Sequence, residues 1–146
     1  MEENEKNDIF LITGYSGAGM SSVLKALEDS GIEVFDNFPL SLVEPLIQSE
    51  ESQDKKIAIG IDTRTRGFSP ESVMKTAQDL NAQLIFVTCD DHELQRRFTE
   101  TRRRHPLAKD KSVRAGIDAE HDLLDHLKVK ADLIIDTTTM SVHDLR

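Results

Sequence analysis

The residues Gly14, Tyr15, Ser16, Gly17, Ala18, Gly19, Met20 and Ser21 have the spacing of a phosphate-gripping loop, G-x-x-x-x-G-K-[ST]. Met20 stands where the lysine belongs. In such a loop, glycines let successive backbone N–H groups turn around a phosphate, and the helix that follows adds about half a positive charge at its N-terminus. Ser21 holds the hydroxyl position for Mg²⁺, and Ser22 extends the cradle. A thioether donates no hydrogen bond, so the pattern predicts weakened nucleotide binding and slow hydrolysis. Either the loop binds an anion, with the amides of Gly17 to Gly19 free of protein carbonyls, or the glycines make a tight turn and nothing more.

Further polar groups could join this chemistry. Asp62 ends an apolar run, Ile57 to Ile61, which is where a Mg²⁺-organising acid sits beside such a loop. Thr63-Arg64-Thr65-Arg66 follows, with two guanidinium groups able to grip phosphate; a turn-capping aspartate with solvated arginines is the competing reading. Asp36-Asn37 and Asp136 end two other apolar runs, as crevice residues or as polar turns, the latter favoured for Asp136. The segment Leu94–Leu107 holds five of the nine arginines: Arg96, Arg97, Arg102, Arg103 and Arg104. It resembles the mobile arginine lid of nucleoside monophosphate kinases, closing on phosphates. Contact with an RNA backbone and salt bridges to the acidic stretch Asp118–Asp122 stay open beside it. His105 and His121 read as hydrogen-bonding neighbours, not catalysts. No Cys/His grouping has zinc spacing.

The elements that must position these groups are legible in the periodicity. Five short apolar runs (Ile9–Ile12, Ile32–Phe35, Ile57–Ile61, Leu84–Val87 and Leu133–Ile135) suit strands buried on both faces of a parallel sheet. Between them lie helical patterns: Val23, Leu24 and Leu27 before a Gly31 cap; Leu42, Val43, Leu46 and Ile47; a helix opened by Ser69-Pro70-Glu71; one opened by a capping box from Asp90 to Glu93; and a longer one with Ile117, Leu123, Leu124 and Leu127. The alternation predicts an α/β doubly wound domain with right-handed crossovers. The chain has 146 residues, one domain's worth, and a formal net charge of -9. That charge repels nucleic acid except at a local basic patch. Cys89 is the single cysteine, in an apolar run, which fits a reducing compartment. Residues 1–7 are expected to be a disordered tail without the features of a secretory signal, and no apolar run reaches membrane-spanning length; a cytoplasmic protein without membrane contact is expected. Ser141–Arg146 reads as the first turn of another helix, as if the domain of residues 8–146 were the front part of something longer.

Taken together, ITGYSGAGMSS, VFDNFPLSLVEPL, IDTRTR, RRFTETRRRHPL and ADLIIDTTTMSVHDLR resemble the RapZ/YvcJ family of bacterial nucleotide-binding proteins, the RNase adapter proteins, from about Asp8 to Arg146. The resemblance implies an α/β fold of P-loop NTPase or nucleoside-kinase-like type, with a five-stranded parallel sheet flanked by helices. It implies binding of ATP or GTP with Mg²⁺, through Gly14–Ser21 and the segment Asp62-Thr63-Arg64-Thr65. Small regulatory RNA and a ribonuclease are implied partners, mainly through a C-terminal domain that this chain lacks, and a homo-oligomer is possible. Family members carry lysine at the position of Met20.

Overall fold

The computed structural model describes residues 8–48, 56–101 and 112–138. Five strands, β1 (Ile9–Gly14), β2 (Glu33–Asp36), β3 (Ile57–Gly60), β4 (Gln83–Thr88) and β5 (Leu133–Asp136), form one sheet in the order β2-β3-β1-β4-β5. All four pairings are parallel. Between the strands, among the described residues, lie α1 (Met20–Asp29), α2 (Val43–Gln48) and α3 (Pro70–Leu80), one per crossover, and then both α4 (Asp91–Thr101) and α5 (Val113–Lys130) between β4 and β5. The expected tail at residues 1–7, the end at Ser141–Arg146, and Arg102, Arg103, Arg104 and His105 lie outside the described residues.

The three middle strands are the buried ones. Leu11, Ile12, Ile59, Phe86 and Val87 are fully buried, and each such side chain contributes about 1.5–3 kcal/mol by leaving water. The outer strands correct the expectation of burial on both faces: Leu133 and Ile134 of β5 are 50% and 47% exposed. Their position explains it, since among the described residues β5 pairs with β4 alone. Two helix positions also depart from expectation. Leu42 falls in a 3-10 turn ahead of α2, and Leu123 lies at the rim of the α5 stripe; both are exposed.

Local signals otherwise set the helix ends. Gly31, at φ 95°, closes α1: its amide bonds the Glu28 carbonyl and the Ile32 amide bonds the Leu27 carbonyl, the paired bonds of a left-handed glycine terminus. At α4 only half of the capping box forms. Asp90 Oδ1 accepts from the His92 amide, but the Asp90 amide donates to Thr138 Oγ1. Glu93 turns instead to Arg96 and Arg97, whose guanidinium groups hold its carboxyl down to about 2. Ser69 caps α3, accepting the Ser72 amide at 3.0 Å, with Pro70 at the first helical position. Ser69→Ala is expected to cost about 1 kcal/mol, read as a lower urea midpoint with unchanged slope.

Candidate functional site

The glycine loop runs from the buried end of β1 into α1. Gly14 faces Val87 of β4 in register, and a Cβ there would meet the Val87 carbonyl oxygen at 2.2 Å. Gly17 and Gly19 take left-handed torsions, φ 87° and 103°. A Cβ on Gly17 would strike the Phe98 ring at 2.8 Å. The loop thus rests on α4: Phe98, 2% exposed, lies under Gly17, and Arg97 Nη1 donates to the Gly17 carbonyl at 3.2 Å.

The loop amides divide into two sets. Tyr15 N–H bonds the Val87 carbonyl, Ser16 N–H bonds Glu120 Oε1 at 2.7 Å, and Ala18 N–H closes a turn on the Tyr15 carbonyl at 3.0 Å. The Ala18 amide is therefore occupied by a protein carbonyl, contrary to the expectation for all three residues from Gly17 to Gly19. The reason is the four-residue turn from Tyr15 to Ala18, which brings carbonyl and amide together. Among the described residues, no protein group accepts from the amides of Gly17, Gly19, Met20, Ser21 or Ser22; Val23 makes the first helical bond, to the Gly19 carbonyl. These amides sit at the N-terminus of a ten-residue helix, where the field favours an anion.

Met20 is half-buried and packs against the core cluster, so its thioether fills space and adds no charge to the loop. Ser21 is exposed. It shares a pocket of about 170 Å³ with Asp36, Leu24, Lys25, Glu28 and Val34, which places Asp36 beside the loop helix. Asp136 does not join: its carboxylate takes the amide and hydroxyl of Thr138, as a turn residue.

Asp62 is 8% exposed. Oδ1 accepts the Arg64 amide at 2.7 Å and Oδ2 the Arg64 guanidinium at 2.8 Å. The Asp62 amide donates to Thr65 Oγ1 at 2.9 Å, and that hydroxyl donates to Asn37 Oδ1 at 2.8 Å. The segment 62–65 is thereby locked to the end of β2. Among the described residues, Thr63 Oγ1 and Thr13 Oγ1 are buried with no hydrogen-bond partner. Both carboxylate oxygens of Asp62 keep a further lone pair for a cation. Carboxylate and hydroxyl oxygens are the donors a hard ion such as Mg²⁺ takes; Ser21 lines the pocket that holds Asp36, and Asp62 is not part of that lining.

Arg97 is placed at the loop, but its donors go to protein: Glu93 through Nε, the Gly17 carbonyl and Thr137 Oγ1 through Nη1, and the Thr137 carbonyl through Nη2. Thr137 Oγ1 itself donates to the Ala18 carbonyl. Arg102 and Arg103 lie outside the described residues.

Two supports were not foreseen. Glu120 of α5, 1% exposed, takes both the amide and the hydroxyl of Ser16, each at 2.7 Å. Its signal was present, because Ile117, Glu120, Leu124 and Leu127 share one face at helical spacing. Tyr15, 2% exposed, donates its phenol to Asp125 and lies against the His121 ring, centres 4.3 Å apart and planes tilted by 47°. Burial and then Asp125 keep that phenol protonated far above its ordinary range.

A parallel sheet in this order, with its first strand running into a glycine loop and a helix N-terminus, defines a P-loop kinase-like α/β domain. Solved structures agree on the fold. Shikimate kinase from Acinetobacter baumannii, in complex with shikimate, superposes with a TM-score of 0.65 at 15% identity, over 94% of this chain and 87% of that one. The YorR protein of Bacillus subtilis, in complex with phosphorylated GDP, gives 0.59 at 10% identity, over 94% and 90%. The RapZ-like N-terminal domain family matches residues 7–146, and the chain belongs to that family. Proteins called nucleotide-binding protein are 44% identical in Sphingopyxis alaskensis and 48% identical in Acidiphilium cryptum. They cover 94% and 93% of this chain, and the match covers 46% of each of them; the chain spans about half the length of these relatives. Among the described residues, no helix is long and apolar enough to cross a membrane.

Proposed function

We propose that this chain is a regulatory nucleotide-binding domain. The amides of Gly17, Gly19, Met20, Ser21 and Ser22 hold the terminal phosphates of ATP or GTP. Ser21 and Asp62 hold Mg²⁺, which neutralises phosphate charge when bound. Arg64 keeps Asp62 oriented, and Arg97 braces the loop through the Gly17 carbonyl. Hydrolysis is slow, because the ammonium that would follow the charge building on the departing phosphoryl group is replaced by Met20. The observation that carries this reading is the set of loop amides without protein acceptors at the start of α1. The names of the 44–48% identical relatives support it. A cytoplasmic setting and self-association are carried as part of this proposal, and a role as an adapter between a ribonuclease and small regulatory RNA comes only from the family resemblance, which assigns it mainly to a C-terminal domain of the family's longer members.

Calorimetric titration with ATP and with GTP, with and without Mg²⁺, tests the proposal. Binding that strengthens with Mg²⁺, and loses that dependence in Asp62→Asn, is expected. Absence of heat up to millimolar nucleotide, in this chain and in Met20→Lys alike, would overturn it.

A further inference from the structure

His121 lies on α5 with each ring nitrogen on a carboxylate: Nδ1 is 3.1 Å from Asp125 Oδ1, and Nε2 is 2.7 Å from Asp91 Oδ1. A neutral imidazole has one N–H and one lone pair, so it can satisfy only one of two ionised carboxylates. With a proton on both nitrogens it satisfies both. The two acids belong to different parts of the loop's support. Asp125 receives the phenol of Tyr15, the second residue of the loop. Asp91 opens α4, the helix that carries Arg97 to the Gly17 carbonyl and Phe98 beneath Gly17.

We propose that His121, in its protonated form, is a positioning residue for the glycine loop: it clamps α4 and α5 around Tyr15, and the loop's grip on phosphate weakens when the imidazole loses its proton. The affinity part rests on the nucleotide-binding reading above; the clamp itself does not.

The surroundings favour the cation. Asp91 faces the ring from α4, Tyr15 from the loop, and Asp125 from one turn along α5. Asp118 and Asp122 add negative charge on the same helix. Arg114 opposes them, at 3.5 Å from Asp91 and 3.3 Å from Asp118, and Lys128 stands 5.9 Å from the Tyr15 ring centre. Burial pulls the His121 pKa down, but the bonds to Asp91 and Asp125 outweigh it, and the net direction is upward. A histidine raised on folding contributes stability that is fully present below its unfolded value, about 6.5, and is lost as pH rises through the folded value. Asp125 is shifted the other way, downward, by Tyr15 and His121 against burial, so its contribution fades only in acid.

The test follows the imidazole signals of the intact chain by NMR and its nucleotide affinity across the same pH range. We expect His121 to titrate above the ordinary histidine value and to move back toward it in Asp91→Asn, which leaves the Tyr15–Asp125 bond in place. We expect MgATP affinity to fall about three- to tenfold as pH rises through that value, and His121→Gln to be weak throughout. Subtracting the two profiles removes the titration of the nucleotide's own phosphate. A His121 pKa at or below the ordinary value overturns the clamp, and parallel affinity profiles in the two proteins overturn its effect on the loop's grip. If MgATP binds neither protein at any pH, the nucleotide reading and the affinity clause fall together, and the NMR shift and its loss in Asp91→Asn decide the clamp.

Discussion

Gly14→Ala should destabilise the domain by about 3 kcal/mol or more, at the upper end of overpacking. In urea unfolding this appears as a midpoint lowered by more than about 1 M. The obstacle is the neighbouring strand: the added methyl would sit 2.2 Å from the Val87 carbonyl oxygen and 2.9 Å from its amide nitrogen. A flexible side chain could swing aside, but these atoms belong to β4, a central strand paired on both edges. The same carbonyl accepts the Tyr15 amide, so moving it also loosens the start of the loop. Gly31→Ala is the natural comparison. Among the described residues nothing lies within 4 Å of its added Cβ, and only the left-handed torsion is penalised, by about 1–2 kcal/mol. Equal midpoints for the two variants would show that β4 yields easily and that the close approach is unimportant.

Met20→Lys should raise affinity for ATP or GTP by about 10- to 100-fold, from one charge-assisted hydrogen bond of about 1.5–3 kcal/mol. The substitution is structurally undemanding. Met20 is only half-buried, and a lysine can lay its methylenes over the same core edge while the ammonium reaches the loop mouth. Phosphate release should rise as well, because the added charge acts most on the departing phosphoryl group. Titration of both proteins in one buffer checks the affinity, and thermal unfolding checks that the fold is unchanged. An unchanged affinity with an intact fold would mean that the loop amides do not hold the terminal phosphates.

Much of this architecture was legible residue by residue. The five apolar runs became the five strands, Ser69 and Gly31 marked helix ends, and the glycine spacing located the loop. These features are written in neighbouring residues, since torsional preference, capping and hydrophobic period act within a turn or two of chain. Where reading failed, the competing influence came from afar. In sequence Glu120 reads as one acid in an acidic stretch; His121 reads as a hydrogen-bonding neighbour, which it is, but its partners Asp91 and Asp125 come from the packing of two helices. Arg97 was expected on phosphate, yet its guanidinium bonds to Gly17 and Thr137, 80 and 40 residues away. The uniform burial expected of the strands failed at β5, whose place at the sheet edge is a property of strand order.

By itself the sequence determined the elements, the glycine loop and the uncharged side chain of Met20 within it. Only the tertiary structure decided what stands behind that loop: Glu120 under Ser16, Asp125 and His121 on Tyr15, Phe98 and Arg97 against Gly17. Those partners lie 80 to 110 positions from the residues they hold. Strand order and helix packing bring them together, and a buried polar group must take whichever partner that packing delivers, because leaving it unpaired costs about 1–3 kcal/mol.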